Sequence, residues 1–272
     1  MKKIIGAVVV VAVVAGVVVS QQAARVTVGP KADGSFLLNS GWSVKPAGKQ
    51  TLVDTFPMAS LPSKDGKVLF VLNGGYNPPT VGVVDIASGQ MTSQVRVPDG
   101  WLGLAMTPDG KRLYVGGGSQ ASVFELEYEN GTLKNGRTFE IVQKEKRQHQ
   151  DFVGDVQVGP DGRLLYASLM HRDRIIVINT QSGRVIEQWR TGRRPYRILF
   201  PPDGKTFLVT SWADGTLYQH SLADGSAMSR LRLGPHTTDM VLSARKPEAS
   251  PKEGEEAEEK EEEWGYAQRV FV

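Results

Sequence analysis

The chain has no cysteine. Disulfides, a lipidated N-terminal cysteine and covalently attached c-type haem are therefore excluded. Histidine is nearly as scarce: His149, His171, His220 and His236 are scattered across the repeats without ligand spacing, so no metal site is expected. The strong local motifs of catalysis are missing too. There is no P-loop, no G-x-S-x-G elbow, no H-E-x-x-H and no EF-hand loop, and neither a catalytic residue nor a cofactor is expected. No stretch carries a convincing helical period. The positive charges are spread among strands without interleaved aromatics, which argues against a nucleic-acid partner.

Long apolar runs are limited to one. Lys2 and Lys3 precede an apolar run from Ile4 to Val19, closed by Ser20, Gln21 and Gln22. That is the layout of a secretory signal, and the run is shorter than the ~20 residues a spanning helix needs. Residues 1–22 thus read as a signal peptide and 23–50 as an N-terminal extension. The mature chain is expected in the periplasm or secreted, meeting a membrane only through an uncleaved signal. With 272 residues, 40% hydrophobic and 22% charged, the composition is that of a globular protein, and 30 Gly with 15 Pro imply many turns. The net charge of +3 conceals an acidic block: Lys246 to Glu263 holds nine Glu and three Lys, a net of −6. Its Pro, Glu and Lys content cannot build a core, so 244–263 reads as a disordered insert.

Internal repeats organise the remainder. Asp-Gly-Lys/Arg occurs at Asp65, Asp109, Asp161 and Asp203, with spacings of 44, 52 and 42. A second turn series keeps step at Ser88-Gly89, Asn130-Gly131, Ser182-Gly183 and Asp224-Gly225, with spacings of 42, 52 and 42. Hairpin turns need positive φ, which Gly adopts without steric cost and Asn or Asp tolerates. The runs between turns, such as Ile175-Ile176-Val177-Ile178, are β-branched and of strand length.

Each repeat reads as four antiparallel strands; in the third these are 152–158, 164–168, 174–179 and 184–190. One such sheet cannot bury both faces alone, but sheets stacked around an axis can, and the regular period favours this over a sandwich. The fold class expected is all-β: a β-propeller of four-stranded antiparallel blades at about 51–97, 98–142, 151–191, 192–233 and 234–272. Four and a half blades are present, the fifth repeat offering only Thr238 to Leu242 and Gln268 to Val272. An unpaired apolar edge implies a fragment of a larger propeller, prone to self-association. Lys49 to Phe56 would suit the strand that closes the last blade of an intact molecule.

Pro108-Asp109-Gly110-Lys111-Arg112-Leu113-Tyr114-Val115, Pro160-Asp161-Gly162-Arg163-Leu164-Leu165-Tyr166 and Val84-Asp85-Ile86-Ala87-Ser88-Gly89 resemble the repeats of the YncE-like, or YVTN-repeat, propellers of exported bacterial proteins. The resemblance covers about Val44 to Val272 and implies seven blades in an intact relative. Gly41 to Gly48 and Trp101 to Leu104 also resemble the propeller half of bacterial proteins that join such a propeller to an alkaline-phosphatase-type domain. That likeness implies a phosphoesterase domain downstream. Nothing in this chain matches its nucleophile or metal ligands.

In this topology the loops from strand four to the next strand one, and from strand two to strand three, open on one face, the usual place for binding. Asn73, Tyr76, Trp101, His171, Arg172, Arg194, Tyr196, Trp212, His236 and Asp239 fall there. Arginines beside aromatics can hold an anionic or planar ligand, although Trp101 and Tyr196 would equally pack between blades. Asp151 and Asp155 lie around one strand and Asp239 in the corresponding strand two repeats on, while the turn aspartates are explained by turn geometry. The reading is a non-catalytic binding module for a small molecule, peptide or downstream domain. The alternatives are the propeller part of a bifunctional phosphoesterase and a lactonase-type propeller enzyme.

Overall fold

The computed structural model describes residues 27–243 and 270–272. The signal peptide, residues 23–26, the acidic insert at 244–263 and Gln268 all lie outside the described residues. The chain divides into two compact units, one ending at Gln50 and one running from Thr51 to Val272. In the first, β1 (Gly29–Pro30), β2 (Phe36–Leu37) and β3 (Ser43–Val44) form a small antiparallel sheet in that order.

The second unit is an incomplete β-propeller of about four to five blades. Blade 1 is β4 (Pro57–Pro62), β5 (Val68–Asn73), β6 (Thr80–Asp85) and β7 (Gln90–Arg96). Blade 2 is β8 (Leu104–Met106), β9 (Arg112–Gly116), β10 (Ser122–Glu129) and β11 (Thr132–Glu140). Blade 3 is β12 (Val153–Val158), β13 (Leu164–Leu169), β14 (Arg174–Asn179) and β15 (Val185–Arg190). Blade 4 is β16 (Pro195–Leu199), β17 (Thr206–Ser211), β18 (Thr216–Ser221) and β19 (Ala227–Arg232). Each is antiparallel with sequence neighbours adjacent. The fifth repeat contributes β20 (Val241–Leu242) paired with β21 (Val270–Phe271). Residues 49–56 form no strand. Asp54 instead accepts the Thr55 N–H at 2.7 Å and the Asn77 amide at 2.7 Å, and the Thr55 carbonyl accepts the Gly75 N–H at 3.1 Å. These bonds tie the segment to the β5–β6 loop.

The apolar runs of blades 2 and 3 are buried on both faces because each of these blades lies between two others. In β14, Ile176 and Ile178 join a core with Tyr114, Val123 and Phe139 of blade 2, while Ile175 and Val177 join one with Phe207 and Val209 of blade 4. Each such side chain contributes about 1.5–3 kcal/mol on burial, which makes these alternating contacts the main force holding blade to blade. The turn series holds the hairpins in register. Asp65, Asp109, Asp161 and Asp203 each accept the N–H two residues on, at 3.2, 3.1, 3.0 and 2.8 Å. The glycine that follows takes φ between 64° and 73°, a region that costs a residue with a Cβ about 1–2 kcal/mol.

Candidate functional site

The first strands of successive blades adjoin, β8 against β12 and β12 against β16, and so line the axis. Six residues before each turn aspartate stand Ala59, Asp155 and Arg197 on this strand in blades 1, 3 and 4 and Gly103 just before it in blade 2, and Asp239 follows Arg197 by 42. Arg197 joins three of these repeats. Its Nη1 donates to Asp155 Oδ1 at 3.1 Å and to the Leu102 carbonyl at 3.3 Å, and its Nε donates to Asp239 Oδ1 at 2.9 Å. Asp155 is fully buried, and its Oδ2 accepts the Ile198 N–H at 2.8 Å. Burial pushes its carboxyl up to about 6 against the pull of Arg197. Asp239 is exposed; the slight burial it has works upward, yet the Arg197 guanidinium holds it below the usual carboxylate range.

Above this belt lie the loops. Trp101 meets Phe152 edge-on at 5.5 Å, and Phe152 stacks on His171 at 5.7 Å. Burial, then the nearby Arg194 charge, lowers the His171 pKa, so the imidazole is neutral at pH 7. The Arg194 N–H donates to Asp173 Oδ1 at 2.9 Å, and its guanidinium lies 5.4 Å over the Trp212 ring. Trp212 in turn stacks on His236 at 4.2 Å. The result is an arc over blades 2 to 4 of indole, phenyl and imidazole rings around one guanidinium, that of Arg194. Arg172 stands beside it but is committed, donating to Asp151 at 2.8 Å and to Gln148 at 2.7 Å.

Backbone conformation marks the same face. Of the described non-glycine residues with positive φ, Phe56, Ala121, Asp173, Arg194 and His236 lie in these loops, and only Asn130 sits in a turn at the other end. Such strain, about 1–3 kcal/mol per residue, persists where surrounding structure over-determines it, and it clusters at ligand sites.

Five of the ten residues expected at the face fall in the arc: Trp101, His171, Arg194, Trp212 and His236. Tyr196 is half-buried on β16 beside Arg197 and Asp239, and burial raises its phenol. Asn73 and Tyr76 are on blade 1, away from the arc. Asn73 is buried, its amide nitrogen donating to Thr80 at 3.3 Å, while Tyr76 is fully exposed at a loop tip. Arg197 and Phe152 were not anticipated. The signal for Arg197 was its position, midway at 42 residues between Asp155 and Asp239. Among the described residues no group of three or more His, Asp or Glu could hold a metal ion.

Residues 103–220 match the family described as Lactonase, 7-bladed beta-propeller. No curated protein sequence matches the chain. Among solved structures, the Kuenenia stuttgartiensis hydrazine synthase is similar at 22% identity and TM-score 0.58, over 74% of this chain and 56% of that one. A putative 6-phosphogluconolactonase from Bacteroides fragilis is similar at 17% identity and TM-score 0.56, over 74% and 65%. A Lactobacillus plantarum protein is similar at 17% identity and TM-score 0.58, over the same shares. The chain thus spans between 56% and 65% of the length of these structures. At such identities the likeness establishes one thing, the β-propeller fold.

Proposed function

We propose that this chain is an exported, YncE-like propeller that binds a small ligand on the loop face over blades 2 to 4 and does no chemistry there. The observation that carries the reading is the arc itself. Arg194 over Trp212, Trp212 on His236 and Phe152 on His171 offer flat faces and positive charge together, which suits a planar anion. The lysine-led apolar N-terminus supports export. Titrating the full chain with benzoate and phthalate while following tryptophan fluorescence tests the site. Saturable quenching that Trp212→Ala and Arg194→Ala each weaken by about tenfold is expected; quenching unaffected by both variants contradicts it.

A lactonase-type reading is favoured by the family match, which spans Asp155, His171, Arg194 and Arg197. The geometry speaks against Asp155 as its base, because both oxygens are occupied, by Arg197 and by the Ile198 N–H. Neutral His171 is the better proton acceptor. Acid release from glucono-δ-lactone above the spontaneous rate, abolished by His171→Gln, would place catalysis on this chain. A rate equal to the spontaneous one leaves binding as the function.

A further inference from the structure

On the flank of blade 4, outside the arc, a cavity of about 690 Å³ is lined by Arg193, Asp214, Thr216, Tyr218, Arg230 and Arg232 among others. Three guanidiniums face one carboxylate, a net of +2. Asp214 is engaged through one oxygen, Oδ2 accepting the Tyr218 hydroxyl at 3.0 Å and the Arg193 N–H at 3.1 Å, while Oδ1 is buried without a hydrogen-bond partner among the described residues. Among the described residues, Arg193, Arg230 and Arg232 form no ion pair, although the Tyr218 hydroxyl lies within hydrogen-bonding reach of Arg230.

The repeat supplies an internal control, because the same place can be inspected in other blades. Thr216 pairs with Arg232 and Tyr218 with Arg230, as Thr80 pairs with Arg96 and Gly82 with Gln94 in blade 1, and Arg174 with Arg190 and Ile176 with Gln188 in blade 3. In blade 1 the groove is about half as large, 350 Å³, and holds one arginine, Arg96, beside a carboxylate with its own partners: Asp54 accepts Asn77 at 2.7 Å, Gln94 at 3.0 Å and Thr80 at 3.3 Å. In blade 3 the groove is 330 Å³, and its Arg172 is bound to Asp151 and Gln148. Blade 4 departs from both. Gly192 stands where blade 1 has Asp54, and Tyr218 where it has Gly82. A Cβ at 192 would run into the Tyr218 ring, so this exchange of small for large is what admits the tyrosine. It also leaves out a carboxylate that would have lowered the net charge of the groove from +2 to +1.

We infer that this flank cavity is a second binding site, for the phosphate group of a small molecule, held by Arg193, Arg230 and Arg232 with the Thr216 and Tyr218 hydroxyls alongside. Guanidinium forks suit tetrahedral oxyanions, and the volume is within the range of about 300–1,000 Å³ usual for small-molecule sites. Arg230 and Arg232 stand on β19, apart from the rings of the arc, while Arg193, Ala213 and Pro235 of the lining adjoin Arg194, Trp212 and His236 in the chain.

Calorimetric titration of the full chain with pyrophosphate, inorganic phosphate and citrate tests this assignment. Pyrophosphate is expected to bind saturably and more tightly than citrate, with the affinity falling as salt is raised. Replacing Arg230→Gln and Arg232→Gln together should weaken it by at least tenfold. The control Arg190→Gln removes the equivalent arginine of blade 3 and should change affinity less than twofold. Thermal melts of the β19 variants should match the parent, because these exposed side chains hold no other strand. Absence of saturable pyrophosphate binding, or equal affinity in the double variant, overturns the site. Citrate binding as tightly as pyrophosphate overturns the phosphate assignment.

Discussion

Blades 1 and 2 place Ala59 and Gly103 at the repeat position where blades 3, 4 and the fifth repeat place Asp155, Arg197 and Asp239. On the first side the inner strands are held by close packing. A Cβ on Gly103 would lie 2.6 Å from the Val156 nitrogen, and one on Gly116 2.6 Å from the Gly154 carbonyl oxygen. On the second side the same junction is held by charge, with a guanidinium between two carboxylates. One backbone position thus serves two kinds of contact, and the polar kind sits beneath the aromatic arc.

Four comparisons break or sharpen that contrast, in order of decreasing effect. Arg197→Met strands Asp155 as a buried, unpaired carboxylate and should cost about 3–5 kcal/mol in urea unfolding. Adding Asp155→Asn to it should recover part of the loss, whereas an additive loss would show that the pair is not coupled. The pH dependence follows from Asp155, whose native pKa of about 6 lies above the ordinary carboxylate value of 3.8. Between those values the native state holds more protons than the unfolded one, so this group's contribution is full below pH 3.8 and is lost as pH rises through 6. The stability difference between parent and Asp155→Asn should therefore shift by about 2 kcal/mol against the parent from pH 4 to pH 7; a flat difference contradicts it. Gly103→Ala should cost about 1–3 kcal/mol by overpacking against β12, while Ala59→Gly in blade 1 should cost less. Arg194→Ala should cost about 0.5–1 kcal/mol of stability through the lost contact with Trp212, and the exposed Tyr76→Ala no more than about 0.5.

Much of the fold was legible because its punctuation is local. An Asp-Gly turn needs only its own residues to form, and two series in step disclosed four blades. The small sheet over 29–44 was not legible, since strands of two residues leave no period to read. Close packing of Gly103, Gly116 and Gly154 was hidden for a different reason: nothing in sequence separates a contact glycine from a turn glycine. The arc was partly legible, because the topology assigns loops to a face, and Trp101, His171, Arg194, Trp212 and His236 followed from that. Their order and spacing depend on backbone bends such as those at Asp173 and Arg194, which no local pattern announces. Arg197 is legible by repeat position alone, since Asp155, Arg197 and Asp239 stand 42 residues apart and residue type does not group an arginine with two carboxylates.

The most direct test of a charged, ligand-binding side opposed to a packed one is hydrogen–deuterium exchange of the full chain with and without saturating phthalate. The account predicts slowed exchange at 101–103, 170–173, 192–197, 212–213 and 236–240, with 53–56 and 74–78 of blade 1 unchanged. Protection confined to the blade 1 loops, or none anywhere, would contradict it.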